Sequence, residues 1–241
     1  MRIALFVTCV GDAILPGVAK ATVAVLERLG HQVDFPRDQT CCGQLHANSG
    51  YRSEALSLAR RFVDVFEGFD AVVAPSSSCV GMVREVYPDL AREAGDESLE
   101  RRVAEAGRRV FELSELLVDE LGVTEVGASF PYRVTYHPTC HSLRVARIGD
   151  APIRLLGAVD GLELIELPEA RECCGFGGTF AVKNAAVSAS MATDKCRAIV
   201  STGAEACVAV DGSCLLQIGG RLSRLDAGVR AVHLAQVLAA T

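Results

Sequence analysis

The stretch Ala71-Val72-Val73-Ala74-Pro75-Ser76-Ser77-Ser78-Cys79 reads as a short strand buried on both faces, four apolar residues in a row, stopped by Pro75 and followed by a loop that carries a cysteine. It returns as Ala206-Cys207-Val208-Ala209-Val210-Asp211-Gly212-Ser213-Cys214. The correspondence extends to both sides of this stretch. Cys9, Cys41-Cys42-Gly43 and Cys79 match Cys140, Cys173-Cys174-Gly175 and Cys214, at offsets of 131, 132 and 135 residues. Chance would not hold that register, and each half closes on a similar segment, 111–117 in the first and 232–238 in the second. Two related lobes are expected, 1–125 and 126–241.

Within each lobe short apolar runs alternate with helical patterns, the mark of βα units around a mostly parallel sheet. The expected class is α/β, two related Rossmann-like lobes about a pseudo-twofold repeat. Strands are expected at 2–8, 33–35 and 71–74 in the first lobe and at 133–136, 162–167 and 206–210 in the second. Helices are expected at 18–29, with Pro16 in the first turn and Gly30 as the stop, at 53–66, and at 184–200. Residues 91–109 read as a charged, solvated helix with a break at Gly95.

Composition narrows the function. Of 241 residues, 50% are apolar and 22% charged, which excludes disorder. The net charge of −6, with no basic run interleaved with aromatics, argues against nucleic acid as a partner. The longest apolar runs, such as residues 3–10, fall far short of the roughly 20 needed to span a bilayer. Residues 3–10 read better as a buried first strand than as an export signal, since one Arg precedes them and Asp12 follows. A cytoplasmic setting is expected.

Ten cysteines are the outstanding number. Disulfide scaffolds concentrate cysteine in chains below about 100 residues that lack a core, so metal or redox chemistry in a reducing compartment is the better reading. The repeated cysteines all fall after a strand or in the loop that follows one, where α/β sheets place ligands. Four thiolates per lobe, Cys9, Cys41, Cys42 and Cys79, then Cys140, Cys173, Cys174 and Cys214, match the ligand count of an iron-sulfur cluster or a structural zinc. Zinc knuckles favour CxxC, and here Ser76 and Asp211 stand three residues before Cys79 and Cys214. Gly43 and Gly175, reinforced by Gly177 and Gly178, can take positive φ and turn backbone N–H groups toward sulfur.

These motifs resemble the cysteine-rich CCG family of iron-sulfur proteins, to which a component of the heterodisulfide reductases also belongs, and are closest to its lactate-utilisation branch. The resemblance rests on Cys41-Cys42-Gly43-Gln44 with Asn48-Ser49-Gly50-Tyr51, on Pro75 to Met82, on Tyr136-His137-Pro138-Thr139-Cys140-His141, on Glu172 to Phe180 and on Asp211-Gly212-Ser213-Cys214-Leu215. It implies an electron-transfer subunit that works with other iron-sulfur and lactate-utilisation subunits in oxidising L-lactate to pyruvate. One 4Fe-4S cluster per lobe is the implied cofactor. Members of the wider family carry a fifth cysteine per lobe, which Ser76 and Asp211 replace here. Two alternatives stay open: cluster-based thiol-disulfide reduction, and zinc in one lobe or as a scaffold.

Other residues take plainer readings. Cys196 and Cys207, outside the repeat, are expected to be inert core. His46, His137 and His141 are expected as loop histidines bonded to backbone, with the alternative left open that His137 and His141, which flank Cys140, donate to cluster sulfur or serve as a ligand. Asp211 is expected as a turn-former or helix N-cap, and Lys183 and Lys195 as surface charges.

Overall fold

The computed structural model describes all of residues 1–241. The first lobe runs β1 (Ile3–Leu5), α1 (Cys9–Ala13), α2 (Pro16–Arg28), β2 (Val33–Asp34), α3 (Gln44–Asn48), α4 (Arg52–Phe66), β3 (Ala71–Ala74), α5 (Ser77–Gly81), α6 (Tyr87–Glu93), α7 (Glu97–Arg109), β4 (Val110–Glu112) and α8 (Leu113–Glu115). The second runs β5 (Arg133–Tyr136), α9 (Ala151–Gly157), β6 (Glu163–Ile165), α10 (Phe180–Lys183), α11 (Ala185–Ser201), β7 (Ala206–Ala209), α12 (Gly212–Arg224), β8 (Arg230–His233) and α13 (Leu234–Ala239). Single π-helical turns at Met82–Val86 and Leu116–Glu120 prolong α5 and α8, and a third, at Ser142–Ala146, follows β5.

Each lobe holds a four-stranded, all-parallel sheet, in the order β2-β1-β3-β4 and β6-β5-β7-β8. The sheets therefore repeat each other strand for strand, as the α/β reading requires. β3 and β7 are buried at every residue, which explains their unbroken apolar runs. β1 is shorter than the expected 2–8 because its neighbour β2 supplies only two pairing residues. The edge strands β4 and β8 lie inside the closing segments and add to the expected set.

Pro16 opens α2, and Gly95, at φ +64°, separates α6 from α7. The 91–109 segment differs from a solvated helix, since Leu99, Val103 and Ala106 bury one face of α7. Its arginines and glutamates hold the other face in water.

The halves are joined by more than a linker. α13 of the second lobe packs on α2 of the first, and α9 of the second packs on α8 and the turn after it. Thus the closing helix of each half lies on the opening helix of the other. Arg28, at the end of α2, donates to the carbonyls of Val126, Gly127, Leu238 and Ala239 at 2.7–3.3 Å. One apolar core runs continuously from Ile3 and Phe62 to Val134, Val208 and Leu238. A smaller core behind the second lobe contains Ile199, Ile218 and Leu222 with Cys174, Cys196, Cys207 and Cys214.

Candidate metal centres

The first quartet is assembled by three connections at the carboxyl edge of one sheet. Cys9 begins α1 directly after β1, Cys41 and Cys42 lie on irregular backbone before α3, and Cys79 sits within α5 after β3. Gly43, at φ +84°, turns the chain so that its N–H donates to Cys41 Sγ at 3.4 Å. Cys41 Sγ is 3.6 Å from Cys9 Sγ, and the Cys41 and Cys79 thiols both act on the buried Cys42. The Tyr87 hydroxyl, fully buried, donates to Cys42 O at 2.8 Å and fixes the loop from below.

The second quartet repeats the pattern. Cys140 follows β5, Cys173 and Cys174 precede α10, and Cys214 stands in the first turn of the thirteen-residue α12, whose positive dipole end favours a thiolate. Gly175, at φ +86°, donates to Cys173 Sγ at 3.4 Å, and a Cβ built on it would lie 2.7 Å from Ser188 O. Cys174 Sγ reaches Cys214 Sγ at 3.1 Å, and the Cys140 and Cys174 thiols both act on Cys173. Here the supporting bond is Ser188 Oγ to Gly175 O at 2.8 Å, with Gln217 Nε2 on Ser188 Oγ at 2.8 Å.

In each quartet one thiol is pulled down and its neighbours pushed up. Hydrogen bonds from Cys42 and Cys9 lower Cys41, and bonds from Cys140 and Cys174 lower Cys173. Cys9, Cys42, Cys140 and Cys174 are raised, first by the bond to that neighbour and then by burial. Each quartet is thus arranged to concentrate negative charge on one sulfur beside a backbone N–H. Such a donor set fits a thiolate-bound metal or metal-sulfide centre. A single tetrahedral zinc would hold its sulfurs about 3.8 Å apart, close to these contacts, while a cubane spreads them wider. The exposed Cys9 and the partly exposed Cys41, Cys140 and Cys173, on loops rather than in sheets, have room for that spread.

All eight cysteines line one cavity between the lobes, walled also by Leu15, Leu45 and Phe176. Asp211 does not cap its own helix. Its carboxylate crosses the interface, accepting from Ser76 Oγ at 2.8 Å, from Ser78 N at 3.0 Å and from Thr139 Oγ1 at 2.5 Å. Ser142 Oγ donates to Ser77 Oγ at 2.7 Å beside it, and His233 Nε2 lies 3.1 Å from Pro75 O. Asp211 thus stands at the N-cap position of α12, as expected, but its side chain makes no bond there and instead joins Ser76 in capping α5, the helix carrying Cys79.

Four further expectations change. His46 lies within α3 and not in a loop. His141 is not bonded to backbone; its Nε2 is 2.9 Å from Gln44 Nε2 of the first lobe and its Nδ1 3.6 Å from Cys140 Sγ. His137 lies in the connection just after β5, as expected, but it is 1% exposed and neither ring nitrogen has a partner, so it is not bonded to backbone through its ring. Burial pushes its pKa down to about 4, with Lys195 adding to the effect and Cys173 and Asp211 opposing it. Its nitrogen and the sulfurs of Cys174 and Cys214 lie within 4.8 Å of one another. Lys195 is not a surface charge. It is 2% exposed and donates to Glu169 O and Ala170 O at 2.7 and 3.3 Å, tethering the loop that leads into Cys173. Lys183 is exposed, and Cys196 and Cys207 are buried core thiols pushed up to about 11 and about 12 by burial.

The family described as a cysteine-rich domain, CCG, matches the chain twice, at residues 3–84 and 134–219. Curated relatives called lactate utilization protein A align almost end to end. That of Exiguobacterium sp. is 47% identical over 98% of this chain and 96% of its own length. That of Oceanobacillus iheyensis is 44% identical over 99% and 96%, and that of Bacillus subtilis 43% over 99% and 99%. Among solved structures, a hypothetical protein from Helicobacter pylori shares the fold, with a TM-score of 0.63 at 11% identity. The alignment covers 98% of this chain and 48% of that one.

Proposed function

Since the chain belongs to the cysteine-rich CCG domain family, and within it to the family of lactate utilization protein A, we propose that it is an iron-sulfur electron-transfer subunit of a multi-protein system that oxidises L-lactate. The observation that carries this reading is the convergence of two thiol quartets, one per lobe, on a single cavity. In this proposal Cys9, Cys41, Cys42 and Cys79 hold one 4Fe-4S cluster in a lobe formed by 1–125. Cys140, Cys173, Cys174 and Cys214 hold the second, in a lobe formed by 126–241. Bound clusters would supply one-electron steps at potentials set by charge, hydrogen bonds and burial. The chain's own part is to place the sulfurs, to aim the N–H groups of Gly43 and Gly175 at them, and to hold the two sites facing each other.

In this proposal C–H cleavage of lactate falls to a partner subunit or its cofactor. No helix is long and apolar enough to cross a membrane. A cytoplasmic setting is proposed with this reading, since ten cysteines in a chain with a core of its own suit a reducing compartment.

Anaerobic purification followed by iron, zinc and acid-labile sulfide assay tests the reading. About eight irons with matching sulfide per chain are expected from two four-iron clusters. Zinc without sulfide would replace this reading by the scaffold alternative. Cys174→Ser is expected to remove the second centre's signal and about half of the iron, leaving the first. Unchanged iron would refute its ligand role.

A further inference from the structure

The two lobes repeat each other closely enough to be compared position by position, and three residues before the first cysteine of each they differ in kind. Phe6 and His137 each stand three residues before the first cysteine of their lobe. Each closes the first strand of its sheet with the same bond: Phe6 N to Val73 O and His137 N to Val208 O, both at 2.8 Å. In the first lobe the slot is hydrocarbon. Phe6 packs edge-on against Phe62 and Phe66, with ring centroids 5.0 and 5.4 Å away. In the second lobe the same slot holds an imidazole, equally buried, with no partner for either nitrogen.

That exchange costs stability. A buried polar group left unpaired costs about 1–3 kcal/mol, and the first lobe shows that an aromatic hydrocarbon fills the slot without it. The imidazole is therefore unexplained as packing. It is explained by its position, since its nitrogen lies within 4.8 Å of the sulfurs of Cys174 and Cys214. We propose that His137 gives a ring nitrogen to the metal centre of the second lobe, where Phe6 gives none to the first, and so sets the two centres at different reduction potentials.

The inference rests on the iron-sulfur reading above. Whether the nitrogen binds iron or donates its N–H to a cluster sulfur, it offsets negative charge that thiolates alone would leave, and both effects raise the potential. Of the charged groups acting on the ring, the Lys195 ammonium is opposed by Cys173 and by the Asp211 carboxylate. The second centre then accepts an electron more readily than the first.

The test is an EPR-monitored redox titration of the full chain, reconstituted anaerobically, with Cys42→Ser used to assign the first lobe's signal. His137→Phe, which copies the first lobe, is expected to move the second couple to lower potential while the first stays in place. A shift of about 59 mV, tenfold in the reduced-to-oxidised ratio at fixed potential, is the scale for a one-electron couple. His137→Gln, which keeps a polar atom in the slot, is expected to recover part of the shift. A second couple unmoved in both variants overturns the proposal. A measurement that leaves His137 in place removes dependence on how its variants fold: pulsed EPR with 15N-histidine labelling, with His141→Asn to remove the imidazole beside Cys140 and His233→Asn as a control for the other imidazole lining the cavity. Histidine nitrogen coupling at the second centre is expected, and its absence overturns the proposal. Wild-type chain that binds no iron and sulfide instead defeats the iron-sulfur reading itself.

Discussion

At the scale of single residues, Glu112 behaves unlike any other carboxylate in the chain. It is fully buried at the end of β4, its Oε2 accepts from Ser114 N and Oγ, and its Oε1 has no partner. Burial pushes its pKa up to about 8; Ser114's bonds oppose this, and Asp211 and Glu115 add to it. The unfolded chain loses this proton near pH 4.5, whereas the folded chain keeps it to about pH 8, so the folded state binds more protons in between. This contribution to stability is full below about pH 4.5 and declines by roughly 1.4 kcal/mol per pH unit up to about pH 8. Glu112→Gln, which retains an acceptor for Ser114, is expected to flatten that decline and to raise the melting temperature at pH 8 more than at pH 5. Equal shifts at both pH values would show that the carboxyl is not the titrating group. The eight repeated cysteines were legible because their spacing recurs, and the glycines after them because a Cys-Cys pair facing one site needs irregular backbone. His137 and Lys195 were not, since burial is a property of the assembled lobe and neither residue type announces it. The one available signal was that Phe6 occupies the position matching His137.

At the scale of elements, the N-terminus of α5 is capped from the other lobe. Asp211 accepts from Ser78 N and Ser76 Oγ while also holding Thr139, so one carboxylate orders the helix bearing Cys79 and the turn bearing Cys140. Asp211→Ala removes the acceptor of three buried donors, of which Ser76 Oγ and Thr139 Oγ1 keep a hydroxyl neighbour and Ser78 N does not, and is expected to cost about 1–3 kcal/mol in urea unfolding. Asp211→Asn, which can still accept, is expected to cost less than half of that. A loss below about 0.5 kcal/mol, the range of ordinary surface substitutions, would show that the interface does not depend on this side chain. The long helices and the fully buried strands were legible from their periodicity and their stops. β4 and β8 were not, because three or four residues of strand run straight into a capped helix and the helical pattern dominates the segment. The π turns were equally unreadable, each adding one residue to a helical turn without a sequence mark.

At the scale of the whole molecule, the continuous core and the exchanged helices make the two halves one unit of stability. Urea unfolding followed by far-UV circular dichroism and by tyrosine fluorescence is expected to give one coincident transition. Residues 1–125 expressed alone are expected to unfold, because α2 would lose α13 and Arg28 would lose all four of its carbonyl partners. Two separate transitions, or a stable isolated half, would show that the lobes stand independently. The repeat told that there are two lobes, and α/β alternation told their sheets; how the lobes clasp each other is long-range packing and left no periodic trace. The clasp has a further effect. A polypeptide carrying only one copy of the repeat would have to meet a second molecule to cover its opening helix, and that encounter would weaken on dilution. Tied head to tail in a single chain, the two copies meet at a fixed local concentration, so the facing cysteine sites stay opposed however scarce the protein becomes.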